Sequence, residues 1–137
     1  MTEHQIQSAF IQWFRIMHKD CFVFAIPNGE HRAISVAKRL KREGVVAGIP
    51  DLQVLMPNSK NFFIELKTEK GRLSKSQKET IPFMQEKGHQ VIVCFGLDDT
   101  IKKTSKIIHE IKYTNEVDCD LCEHQDIIIE NKEVEND

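Results

Sequence analysis

The sequence predicts an α/β fold, a mixed sheet flanked by helices in the order α-β-α-β-β-α-β-α, and three observations predict it. Several segments carry apolar residues at three- and four-residue spacing, as one face of a helix requires. Compact apolar runs of strand length fall between them. Gly, Pro, Asn and Ser punctuate the junctions, where the chain must turn. With 137 residues the chain is the size of one domain, and its 40% apolar and 29% charged residues are a globular balance. No apolar run approaches the roughly 18 residues that span a bilayer.

The first segment opens with a capping-box spacing, Thr2 to Gln5, and places Ile6, Phe10, Trp13, Phe14 and Met17 along one helical face. "CFVFAIP" reads as a buried strand ended by the turn residues Pro27, Asn28 and Gly29. In "AISVAKRLKREG", Ala33, Val36, Ala37 and Leu40 gather on one side of a helix. Lys38, Arg39, Lys41 and Arg42 lie largely on the other, and Gly44 fits the position just past its end. "DLQVLM" and "NFFIELK" form a hairpin around Pro57, Asn58 and Ser59. "RLSKSQKETIPFMQEKG" repeats the capping-box spacing with Ser74 and Gln77 and stops at Gly88, and Pro82 should kink it or break it early. "QVIVCF" is a near-continuous apolar strand of the kind buried on both faces. "DDTIKKTSKIIHEI" is a last helix, capped by Asp98 or Asp99.

The net charge of −2 conceals an asymmetry. Residues 1–112, the expected domain, hold 18 Lys and Arg against 12 Asp and Glu; residues 113–137 hold one Lys against nine acids. The basic body suits a polyanion such as nucleic acid, although solubility alone also produces such surfaces. The tail has the composition of a mobile segment, and "DIIIE" could still add a short strand. "MTEHQIQSAF" lacks the basic and then hydrophobic regions of a secretory signal, so the expected location is cytoplasmic, the host cytoplasm for a virus-encoded chain. Four cysteines there argue against a disulfide framework, and Cys21 and Cys94 fall in strands as core residues. In "CDLCEH", Cys119, Cys122 and His124 are three candidate zinc ligands, with His109 or a second subunit to complete four.

The hairpin carries the chemistry. Side chains alternate along a strand, so Glu65 and Lys67 emerge on one face about 7 Å apart. Folding the hairpin around Asn58 or Ser59 brings Asp51 opposite Glu65 or Lys67. Two carboxylates this close repel unless a cation lies between them, and oxygen ligands suit Mg²⁺ or Mn²⁺. Such an ion with a lysine beside it meets the needs of phosphodiester hydrolysis. Singly, Glu-x-Lys is also a common edge-strand ion pair and Asp after Pro a common turn residue.

Pro50-Asp51 followed by Glu65-Leu66-Lys67 resembles the PD-(D/E)xK nuclease superfamily. The series "IPNGE", "LKREGVVAGIPDL", "FFIELKTEKGRLSKSQKE" and "GHQVIVC" resembles its virus-type replication-repair nuclease (VRR-NUC) branch, over roughly residues 2–96. The resemblance implies a restriction-endonuclease-like core in which Asp51 and Glu65 hold the metal and Lys67 assists the attacking water. The expected ligand set is Glu3, Asp51, Glu65 and the backbone carbonyl of Leu66. Glu3 continues the apolar stripe of its helix and matches the family's helical glutamate, although a first-turn acid also suits the helix dipole. Gln77 matches a family glutamine that would orient Lys67 or a phosphate, and its place in the capping box accounts for it equally.

Asn28, Arg32, Lys38, Arg39, Lys41, Arg42, Lys70, Arg72 and Lys75 are the candidate DNA contacts, with Lys78 beside them. A solvated helix face gives the same run of cations. The activity expected is a Mg²⁺- or Mn²⁺-dependent DNA endonuclease on branched DNA, Holliday-junction resolvase-like, serving replication, repair or recombination. Two incisions at a junction call for a homodimer. A nicking or flap nuclease shares the chemistry. A non-catalytic nucleic-acid-binding module is the rival from another class, and the intact Asp51, Glu65 and Lys67 disfavour it. The acidic tail could also act as a DNA mimic that restrains the basic body.

Overall fold

A computed structural model describes residues 1–27 and 33–114. The elements are α1 (Glu3–Met17), β1 (Phe22–Ala25), α2 (Ile34–Arg42), β2 (Leu52–Leu55), β3 (Asn61–Lys67), α3 (Lys75–Glu86) and β4 (Val91–Phe95). A helix over residues 97–114, α4, follows. This is the α/β order read from the sequence. The strands lie side by side as β1-β2-β3-β4, with β1, β2 and β3 antiparallel and β3 parallel to β4. A parallel pair needs a long crossover, and α3 supplies it. The chain forms two compact units, Met1–Lys103, which holds the sheet, and Thr104–Asp137, described as far as residue 114. No helix among the described residues is long and apolar enough to cross a membrane. Asn28, Arg32, Cys119, Cys122, His124 and the acidic tail from residue 115 onward lie outside the described residues.

Both capping boxes form. In α1 the Gln5 N–H donates to Thr2 Oγ1 and the Thr2 N–H to Gln5 Oε1, which satisfies two amides that a helix start leaves without partners. From there α1 sends Ile6, Phe10 and Phe14 into the core, where Phe10 and Phe14 are fully buried with ring centroids 5.7 Å apart. α1 packs on β1 and β3, and Leu52, Val54, Phe62 and Ile64 of the sheet are likewise fully buried. Phe14→Ala should therefore lower unfolding stability by about 3–5 kcal/mol, read as a reduced urea midpoint, because the vacated ring volume cannot refill.

The hairpin closes as read. Leu55 pairs with Asn61 and Leu52 with Ile64, while Asn58 and Ser59 both take a φ of 61°, the left-handed conformation that carries a chain through a tight reversal.

Other expectations are corrected. Pro82 does not stop α3, which runs unbroken to Glu86. Pro82 and Lys78 are both exposed, so water can serve the carbonyl left without its donor. α2 forms, yet none of its residues is buried: Ala33 and Ala37 are exposed, Val36 and Leu40 are only half-buried, and Ile34 is 76% exposed. Among the described residues β1 and β4 are the outer strands of the sheet rather than inner ones, and Phe22 is 63% and Phe95 37% exposed. Met17, on the last turn of α1, is 60% exposed. Asp98 and Asp99 lie within the first turn of α4 rather than at its cap. Asp99 accepts the Phe95 N–H and pairs with Lys103, which hold it below the usual carboxylate range.

Candidate active site

The inner strand β3 is apolar on most of its length and then carries charge inward. Its last four residues are all buried, so Glu65 (1% exposed) and Lys67 (7%) are withdrawn from water along with Ile64 and Leu66. The hairpin register sets Asp51, one residue ahead of the Leu52–Ile64 pair, level with Glu65. Asp51 is fixed at both ends. Its carbonyl accepts the Ile26 N–H at 2.8 Å, and its carboxylate Oδ2 accepts the Leu66 N–H at 2.7 Å.

Three further contacts complete the cluster. The Gln77 Nε2 donates to Glu65 Oε1 at 2.7 Å. The Lys67 ammonium lies 3.6 Å from the same Glu65 oxygen and 3.8 Å from Glu3 Oε1. Glu3 itself is half exposed at the N-terminus of α1.

Burial and the neighbouring Asp51 push Glu65 up to about 8, against the pull of Lys67. Burial raises Asp51 as well, although the Leu66 amide works the other way. Both shifts have one leading cause: the site holds too little water to solvate a carboxylate charge. Glu65 Oε2 is buried and has no hydrogen-bond partner, whereas Oε1 is served by Gln77 and Lys67. A buried carboxylate oxygen without a donor beside a second carboxylate fits a hard cation, which would relieve both deficits. Among the described residues, no three His, Cys, Asp or Glu side chains form a ready metal-binding group. The site offers two acids, and Glu3 stands off on the Lys67 amine. Such a sparse donor set suits Mg²⁺, which retains several waters, better than an ion that demands a protein cage.

Gln77 does two jobs at once. Its Oε1 accepts the Ser74 N–H at 2.8 Å as the capping box requires, which turns its Nε2 toward Glu65. The capping box forms, and the remaining amide group meets Glu65 rather than Lys67. The Leu66 amide as partner of Asp51 has no signal in residue type or spacing and emerges only from the strand register.

The cations fall in two groups. Lys70, Arg72, Lys75 and Lys78 are exposed between the end of β3 and the first turns of α3. Lys38, Arg39, Lys41 and Arg42 are exposed on α2, where Arg39 pairs with Glu43 at 3.7 Å and a shallow cavity of about 570 Å³ runs between Lys38, Lys41 and Arg42. A second cleft, of about 440 Å³, opens past Lys67 with Thr68, Glu69 and Lys70 in its wall.

No curated protein matches the chain. Among solved structures it is similar to a "VRR_NUC domain protein", at 24% identity over 77% of this chain and 87% of that one with a TM-score of 0.63. It is similar also to a "VRR_NUC domain", at 22% identity over 80% of this chain and 97% of that one with a TM-score of 0.52. At these identities the likeness speaks for the fold. The sequence itself matches the VRR-NUC domain family over residues 1–98, a span that contains Glu3, Asp51, Glu65, Lys67 and Gln77. The chain belongs to the VRR-NUC domain family, a family of nuclease type.

Proposed function

We propose that this protein is a metal-dependent DNA endonuclease that hydrolyses phosphodiester bonds in branched DNA. The observation that carries the reading is the buried Glu65, with one carboxylate oxygen lacking a partner, beside Asp51 and Lys67. Asp51 and Glu65 would hold Mg²⁺ or Mn²⁺, with the Leu66 carbonyl and Glu3 as further candidate oxygens. When bound, the cation supplies positive charge to the phosphodiester oxygens and lowers the pKa of a water.

The protein's own residues do the rest. The Leu66 amide aims the Asp51 carboxylate, and Gln77 fixes the rotamer of Glu65, so neither acid reorganises during reaction. Lys67, held between Glu65 and Glu3, presents an ammonium that can orient the attacking water and offset charge building on the phosphate. Lys70, Arg72 and Lys75 lie just beyond the strand end and would fix the DNA backbone relative to the site, with the α2 cations as a second contact. Acting as a homodimer, the protein would bring two sites to one junction.

The test is incubation of the purified protein with a four-way junction, a flap, a linear duplex and single strands, each with Mg²⁺, Mn²⁺ or EDTA. Paired incisions at the junction that vanish in EDTA are expected. Intact DNA in every Mn²⁺ reaction would reject the endonuclease reading, and cleavage of the flap or duplex alone would reject the junction preference.

A further inference from the structure

The loop that leads into Asp51 and the first turns of α3 are fastened together by contacts outside the acid cluster. The Thr80 hydroxyl donates to the Ala47 carbonyl at 2.8 Å. Gly48 lies so close to the helix that a Cβ there would come within 2.4 Å of the Ser76 carbonyl oxygen and 2.8 Å of the Gln77 backbone nitrogen. Its φ of +81° is also left-handed, so a side chain is excluded by contact and by conformation alike.

This junction joins the supports of both acids. On one side, Gly48 is followed by Ile49, the buried Pro50 and then Asp51. On the other, Gln77 is the residue whose amide holds Glu65. We propose that Thr80 and Gly48 are positioning residues that clamp the Asp51 loop to the start of α3 and so fix the separation of Asp51 and Glu65.

The proposal rests on the metal-site reading. Its physical basis is a closed ring of contacts: Gly48 against the Gln77 backbone, Gln77 to Glu65, and Leu66, the next residue, to Asp51. Two carboxylates in a dry site repel once both are ionised, the form in which they would bind a cation, so their separation has to be held by the surrounding contacts. The ties of Asp51 to Ile26 and Leu66 anchor it to the sheet. The clamp anchors the same loop to the helix that aims Glu65. Metal affinity then depends on a hydroxyl on the second turn of α3, although Thr80 itself would touch no metal.

Thr80→Val removes the hydroxyl at nearly constant volume, and Thr80→Ser restores it. Two readouts apply to the full chain: exchange of the Gln77 side-chain amide protons by NMR without metal, and Mn²⁺ affinity by calorimetry. Thr80→Val should speed the amide exchange and weaken Mn²⁺ binding by about tenfold, the usual size for a group that orients a ligand. Thr80→Ser should match the parent in both, and Gly48→Ala should exceed Thr80→Val wherever it folds. Parental exchange and parental affinity in Thr80→Val would overturn the clamp while leaving the metal site standing. A parent protein that binds no Mn²⁺ would overturn the metal site and the positioning role with it.

Discussion

Asp51→Asn and Glu65→Gln should each lower Mn²⁺-dependent cleavage by about 10³-fold, the order lost when one preorganised charge is removed from a site of this kind. DNA binding should survive, because exposed lysines and arginines rather than the buried acids meet the phosphates. Cleavage rates and gel-shift affinities measured on the same variants separate the two effects. Full cleavage by either variant would sink the mechanism. Glu65→Gln has a second expected result that a purely structural carboxylate would not give. It should raise the melting temperature of the metal-free protein at pH 9 and change it little at pH 5. The amide keeps an acceptor for Gln77 and removes the charge that repels Asp51, so the protein would gain stability as it loses activity.

The pH dependence has a definite sign. With Glu65 raised from 4.5 to about 8, the metal-free folded protein holds a proton at neutral pH that the unfolded chain has already lost. Stability of the metal-free protein from this group is therefore present in full below about pH 4.5 and declines as pH rises toward about 8. Asp51, also raised, acts in the same direction. Metal binding runs the opposite way, since the ion requires the carboxylate and must displace the proton. Mn²⁺ affinity should fall by about tenfold for each pH unit below about 8, with proton release on binding that calorimetry in buffers of different ionisation enthalpy detects. An affinity flat from pH 6 to 9 would show that Glu65 is not a ligand.

Much of the architecture was legible in the residues because local rules and tertiary packing agree. Thr2 with Gln5 and Ser74 with Gln77 capped the helices that their spacing announced, and Asn58 and Ser59 supplied the left-handed backbone the hairpin needs. Disagreement appeared where a local pattern has no knowledge of its neighbours. The apolar runs of β1 and β4 resemble inner strands, yet among the described residues sheet order puts both on the outside. The apolar residues of α2 share one side of the helix as their spacing requires, but that spacing does not tell whether anything covers them, and none is buried. Pro82 predicts a kink or an early break, and the helix continues through it because Lys78, whose carbonyl it deprives, is exposed to solvent.

The candidate site divides in the same manner. Residue identity and strand alternation determined that Asp51, Glu65 and Lys67 would meet, because a hairpin of known turn has few registers open to it. Tertiary structure alone decided that Glu65 would lie almost free of solvent with one unpartnered oxygen, that Gln77 would choose it over Lys67, and that Glu3 would rest on the lysine. Those outcomes depend on separations of 2.7–3.8 Å between groups on different elements. Charge and sequence spacing do not encode such distances; the packing of helices against a sheet sets them.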